Sequence, residues 1–241
     1  IRIFGAHRII IMSQTLRSCR PWYPYVWNAS SADLITRMYD VHCPGTWHTF
    51  LSSMAQGPKA HEADFRRIAL LYLYGGLYSD MDALWISAPP SQFVVDTGDS
   101  HHLSNGVISV SKPGHALFRT ALVMIPRRYN SKIWTSIGGP LLTEAMASLD
   151  STLRQSFLVI PYFNMYTIEW RDARTCFSTL YCRVSACQVA CGETYQLHMF
   201  GKMTGIAHNT RPIAHSMFAT VIRMLGNHTS SGSLECPAQC P

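Results

Sequence analysis

The stretch Ala63-Asp64-Phe65-Arg66-Arg67-Ile68-Ala69-Leu70-Leu71-Tyr72-Leu73-Tyr74-Gly75-Gly76-Leu77-Tyr78-Ser79-Asp80-Met81-Asp82 sets the architecture of this chain. Phe65, Ile68, Ala69, Leu71 and Tyr72 recur at three- and four-residue steps, which predicts a helix over residues 62–74 with one buried face. Gly75-Gly76 ends it, because glycine accepts the left-handed backbone of a helix exit. Residues 77–86 then read as a strand, and Asp80 and Asp82, two apart, share one face of it or lie at its frayed end. An Asp and an Arg on a helix, a glycine turn and two carboxylates at spacing two are the groups needed to hold a divalent cation, a diphosphate and a sugar.

Strands and helices alternate outward from this unit. Residues 9–12 read as a buried first strand, 21–27 as a turn entering a second strand, and 31–39 as a helix with a serine cap. Downstream, 105–110, 159–161 and 195–198 read as strands, and 115–127, 140–149 and 213–225 as helices. This order predicts an α/β class with a mixed central sheet flanked by helices. Residues 1–227 read as a single domain of ordinary size. The Ser-, Gly- and Pro-rich segment 228–241 reads as a flexible tail.

Composition narrows the function. With 47% hydrophobic residues and a mean hydropathy near zero, the chain is globular rather than disordered. Its net charge of +6 comes from scattered residues, with only the short pairs Arg66-Arg67 and Arg127-Arg128. No Lys/Arg block marks a nucleic-acid partner, whereas a mild positive field suits an anionic substrate. No apolar run approaches the ~18 residues that span a bilayer, so membrane association is expected only through a segment outside this chain. The eight cysteines (Cys19, Cys43, Cys176, Cys182, Cys187, Cys191, Cys236 and Cys240) and the sequons at Asn28 and Asn227 suit an oxidising secretory compartment. Disulfides are the favoured use of the cysteines; a zinc site drawing on Cys176, Cys182, Cys187 and Cys191 is the alternative, although the paired rhythm of a zinc ribbon is missing.

Carboxylates are hard oxygen ligands suited to Mg2+ or Mn2+. A cation between Asp80, Asp82 and a diphosphate would stabilise a departing nucleoside diphosphate as a Lewis acid. Asp64 and Arg67, three apart, share a helix face. They are either a surface ion pair of little energetic weight, or a carboxylate that accepts sugar hydroxyls with an arginine anchoring both it and the donor. Arg66 reads as a solvated neighbour.

These residues resemble the DXD-containing glycosyltransferases of family 32, which include initiating α1,6-mannosyltransferases, inositol-phosphoceramide mannosyltransferases and α1,4-galactosyl- and α1,4-N-acetylglucosaminyltransferases. The match is nearly position for position from Glu62-Ala63-Asp64 to Asp82. Weaker matches flank it in order: Ile9-Ile10 with Ser13-Gln14-Thr15-Leu16, Trp27, Asn105-Gly106, Pro113-Gly114-His115, Gly139-Pro140-Leu141-Leu142-Thr143, and His198-Met199-Phe200-Gly201-Lys202. Ser13 stands where the family has His, Leu16 where it has Trp, and Phe200 where it has Trp. The Cys-rich stretch 174–192 is unlike the family and reads as an insert.

The resemblance implies a GT-A-type nucleotide-sugar-binding fold and a retaining, metal-dependent hexosyl transfer from a nucleotide-sugar to a glycan or glycolipid acceptor in the Golgi lumen, with Mn2+ or Mg2+ as cofactor. By it, Asp82 is the direct metal ligand. Asp80 contacts the ribose or sugar as well as the metal shell, and the two are the catalytic residues. His198 reaches the metal or the diphosphate, Lys202 a phosphate oxygen, and Asn105 a donor or acceptor hydroxyl. The bland alternatives are a structural histidine, a solvated lysine and a turn asparagine. No residue announces itself as a nucleophile, and Glu144 and Asp172 are acidic residues that no motif singles out. Two other readings stand beside this one: a glycosyltransferase-like sugar-binding protein without catalysis, and a secreted Cys-rich binding protein in which the acidic pair is dispensable.

Overall fold

The computed structural model describes residues 44–80, 82–98, 101–178, 182–185, 189, 194–198, 200 and 214–231. The strands expected at 9–12 and 21–27 and the helix at 31–39 lie outside these residues, as do Lys202 and the matches at Ser13, Leu16 and Trp27. The elements are α1 (Pro44–Ala55), α2 (Lys59–Tyr74), β1 (Gly76–Ser79), β2 (Ala83–Trp85), β3 (Phe93–Val95), β4 (Val107–Val110), α3 (Ala116–Arg128), α4 (Gly139–Ala147), α5 (Ser151–Gln155), β5 (Leu158–Ile160), α6 (Tyr162–Met165), α7 (Trp170–Ser178), β6 (Gln196–His198) and α8 (Met217–Ser231). The expected α/β class is observed. Among the described residues, one compact unit takes in 44–78, 91–94 and 102–158, and a second takes in 79–90, 95–98, 101 and the residues from 159 onward.

The first unit is built around α2. Its buried residues (His61, Asp64, Phe65, Arg67, Ile68, Ala69, Leu71 and Tyr72) trace a single stripe. Phe65 packs in edge and tilted geometry on Phe50 and Trp47 of α1, with ring centroids 5.4 and 5.8 Å away. Leu117, Phe118, Ala121, Leu122 and Ile125 of α3 and Leu141, Leu142 and Ala145 of α4 close the same core. Gly75 takes φ 65 and Gly76 φ 93. A Cβ on Gly75 would lie 2.9 Å from the Lys112 backbone, so the turn needs glycine for both conformation and space. The four-stranded sheet runs β1-β4-β3-β5. β3 and β4 are antiparallel, with Phe93 opposite Ser109, and every residue of both is buried.

In the second unit, β2 and β6 form an antiparallel ribbon with Ala83 opposite His198, Leu84 opposite Leu197 and Trp85 opposite Gln196. Its core gathers Ile168, Ala173, Phe177, Leu197, Met217, Phe218 and Val221. Cys176 and Cys182 form a disulfide. This removes two of the four thiolates a zinc site would have used; Cys187 and Cys191 lie outside the described residues.

One strand was expected over 77–86, and two are found. β1 pairs with β4 and β2 with β6, so the chain changes sheets at Asp80–Asp82 and cannot stay in one ladder. The last helix, expected over 213–225, spans Met217–Ser231. Among the described residues no helix is long and apolar enough to cross a membrane.

Candidate active site

Asp80 and Asp82 lie where the chain leaves β1 and enters β2. A clip of hydrogen bonds spans this turn: Trp85 Nε1 donates to Ser79 Oγ at 3.2 Å, and Ser79 Oγ donates to the Asp80 carbonyl at 3.1 Å. The β2–β6 register sets His198 opposite Ala83, and so brings a residue distant in sequence to the acidic pair. His198 Nε2 lies 3.2 Å from Asp82 Oδ1 and 3.7 Å from Asp80 Oδ2. One ligand atom from each of the three residues falls within 4.8 Å of the others. Two carboxylates and an imidazole are a donor set for a hard or borderline divalent cation. Both aspartates are partly open to solvent, while His198 is buried.

The histidine is held from both sides. Its ring packs on Phe200 (centroids 4.3 Å) and Tyr166 (5.5 Å), and its Nδ1 accepts the Phe200 N–H at 3.0 Å. Phe200 takes φ 50, a left-handed conformation unusual for a bulky residue. Because Nδ1 is an acceptor, the proton of a neutral ring sits on Nε2 and points at Asp82. Ligation of a cation by Nε2 would displace this proton and open the Phe200 contact, whereas Asp80 and Asp82 need no such change. Gln196 shares the His198 face of β6. Its amide is fully buried, and neither its nitrogen nor its oxygen has a partner among the described residues.

Within the first unit, Asp64 and Arg67 form a second constellation. Their side chains are 11% and 9% exposed with Arg67 Nη2 3.1 Å from Asp64 Oδ1, which rules out the surface-pair reading. Asn105 Nδ2 donates to Asp64 Oδ1 at 2.8 Å, and Arg67 Nη1 donates to the Asn105 carbonyl. The Arg67 guanidinium also stacks 4.4 Å from the centre of the Tyr78 ring. Asn105 is thus no simple turn residue. Tyr78 was not among the expected site residues; its only signal was its place two residues before Asp80.

The Gly139-Pro140-Leu141-Leu142-Thr143 stretch supports this network from below. A Cβ on Gly139 would lie 2.3 Å from the Leu103 carbonyl oxygen, and one on Gly138 3.1 Å from Asn105 Nδ2. Thr143 Oγ1 accepts the Leu103 N–H at 2.8 Å and donates to the Gly139 carbonyl at 2.9 Å. The start of α4 therefore presses against the segment that carries Asn105. Glu144 is held by Arg128 in an exposed pair, and Asp172 lies 3.9 Å from Arg183. Arg66 pairs with Glu62 one turn back, at 2.6 Å.

Residues 8–94 match the glycosyltransferase sugar-binding region containing the DXD motif, and residues 110–225 match the alpha 1,4-glycosyltransferase conserved region. The human alpha-1,4-N-acetylglucosaminyltransferase is 28% identical over 102 residues, which cover 42% of this chain and 30% of that protein. The match thus spans less than a third of its relative's length. Among solved structures, the PaToxG glycosyltransferase is similar over 46% of this chain and 44% of its own, with a TM-score of 0.36 and 20% identity. The DXD-containing sugar-binding region and the alpha 1,4-glycosyltransferase region of known glycosyltransferases are thus both matched, in order, along this chain.

Proposed function

We infer that the chain is a retaining, metal-dependent hexosyltransferase with a GT-A-type fold, acting on a nucleotide-sugar donor and a glycan or glycolipid acceptor. The observation that carries this reading is the Asp80–Asp82–His198 cluster, with three ligand atoms within 4.8 Å. Asp80 and Asp82 would hold a divalent cation, Mn2+ or Mg2+. When bound, the cation supplies Lewis-acid stabilisation of the leaving diphosphate. His198 steers the Asp82 carboxylate through its Nε2, and joins the metal shell if its bond to Phe200 opens.

Asp64 accepts donor-sugar hydroxyls in this reading, and Asn105 and Arg67 fix the orientation of its carboxylate. Lys202 meets a phosphate oxygen. With no nucleophile singled out, the protein's contribution is alignment of the acceptor hydroxyl on the face the diphosphate leaves, which preserves the anomeric configuration. The α1,4 linkage named in the human relative and in the conserved region makes an α1,4-linked product the first to seek. The cysteines, one pair of them joined, support a secretory compartment and, by resemblance, the Golgi lumen.

The test is a screen of GDP- and UDP-sugars with Mn2+ present, reading nucleoside diphosphate release and the anomeric configuration of any product. Release from one donor with retained configuration is the expected result. Sugar-nucleotide binding without release would instead support the non-catalytic sugar-binding reading.

A further inference from the structure

We propose that the tip joining α3 to α4 is a docking surface for anionic membrane lipid. Every residue from Arg127 to Thr135 is exposed except the half-buried Tyr129. Within that run Ile133 is 52% exposed and Trp134 51%. Two large apolar side chains standing side by side on a polar loop are unusual for a surface that meets only water. The tip is also cationic. Arg127, Arg128 and Lys132 lie within six residues of Ile133, and only Arg128 has an acidic partner, Glu144, among the described residues.

The tip is firmly held. Tyr129 N–H closes the end of α3 on the Ile125 carbonyl at 2.9 Å. Asn130 then organises a compact turn, its side chain accepting the Lys132 N–H at 2.9 Å and its carbonyl the Ile133 N–H at 3.1 Å. Beneath, the fully buried His61 reaches up from α2, with Nε2 3.0 Å from the Trp134 carbonyl and its ring tilted against the indole at 6.2 Å. A buried polar anchor thus fixes the backbone that carries the exposed Trp134, so little ordering entropy is lost when the tip meets a partner.

The combination selects its partner. Trp is the side chain best suited to the headgroup region of a bilayer, an Ile beside it enters the acyl boundary, and flanking Lys and Arg meet anionic headgroups. An acidic protein would engage the cations and leave the apolar pair exposed. A neutral glycan would stack on Trp134 and leave the cations unused.

The test is sedimentation of the intact chain with phosphatidylcholine vesicles made with and without phosphatidylserine. It reads lipid binding and needs no substrate, so it can fail while the transfer reaction stands, and the reverse. The expected result is binding to the phosphatidylserine-containing vesicles, weakened by salt and weak on pure phosphatidylcholine. Arg127→Ser with Lys132→Ser should lower partitioning by about 25-fold, roughly fivefold for each charge. Ile133→Ser with Trp134→Ser should lower it at least tenfold while nucleoside diphosphate release in solution is unchanged. No binding to acidic vesicles, equal binding to neutral ones, or full binding by both double variants would overturn the proposal. So would a Trp134→Ser variant that binds vesicles normally but loses turnover on a soluble glycan, which would make the tip an acceptor platform.

Discussion

His198 Nε2 stands 3.2 Å from Asp82 Oδ1, although 116 positions (198 minus 82) separate the two residues in sequence. The antiparallel pairing of Ala83 with His198 creates this proximity. Groups that orient metal-binding side chains typically contribute 10–100-fold to metal affinity. His198→Ala is therefore expected to weaken Mn2+ binding by about that factor, read by direct titration of the ion into the protein. Unchanged affinity would remove His198 from the metal site.

The Asp64–Arg67 pair makes a two-part prediction. Removing one partner of a buried pair leaves an uncompensated charge, so Asp64→Ala should cost about 3 kcal/mol or more in denaturant unfolding. Glu144→Ala, which breaks an exposed pair, should cost under about 1 kcal/mol. The gentler Asp64→Asn keeps shape and tests function. Weakening a hydrogen bond to a charged group by ~1.5–3 kcal/mol lowers sugar transfer roughly ten- to a hundredfold. Diphosphate binding should stay near normal; equal loss of both would sink the assignment of Asp64 to the sugar.

Gly139→Ala tests whether the Gly-Pro motif acts through space. The added Cβ would meet the Leu103 carbonyl oxygen at 2.3 Å, a backbone atom that cannot swing aside. A destabilisation of about 1–3 kcal/mol is expected. Because the displaced segment leads to Asn105, sugar transfer should fall further than stability alone explains. A fully stable, fully active variant would contradict the packing described.

A pH dependence follows from His115, which caps α3 by accepting the Leu117 N–H at 3.2 Å. Burial holds its imidazole below the ordinary value of 6.5. As pH falls through about 6.5 the unfolded chain takes up a proton before the folded one, so stability is lost on acidification and is unaffected above it. His115→Asn keeps a good cap without the titration. The unfolding midpoint of the variant should therefore change less than that of the parent between about pH 7.5 and about pH 5.5. Parallel curves for the two proteins would contradict this.

Much of this arrangement was legible in the sequence, and the parts that were not have physical reasons. The stripe of α2, its glycine exit and the acidic pair follow from local periodicity and turn chemistry, and they recur in the structure within a few residues. The helix α1 was missed because Gly45, Thr46, Thr49 and the two serines weaken its propensity, although Trp47, Phe50 and Met54 carry a helical repeat. The break at Asp80–Asp82 was invisible because it depends on which strands β1 and β2 choose as partners. The same holds for the contacts of His198 with Asp82 and of Asn105 with Asp64. Sequence order named these residues, but only tertiary pairing shows which touch. The burial of Asp64 and Arg67, which takes the pair off the surface, depends on Asn105 and Tyr78 closing over that face of α2.

The most direct test of the account is the turnover of the preferred nucleotide-sugar by the parent chain and by Asp82→Asn, each with Mn2+ and with a chelator. The parent should release nucleoside diphosphate only when the cation is present. An amide cannot balance the cation's charge, and losing several kcal/mol of leaving-group stabilisation should lower the rate of Asp82→Asn by roughly a thousandfold and abolish its response to Mn2+. Near-normal, Mn2+-dependent turnover by that variant would contradict the claim that Asp82 holds the metal.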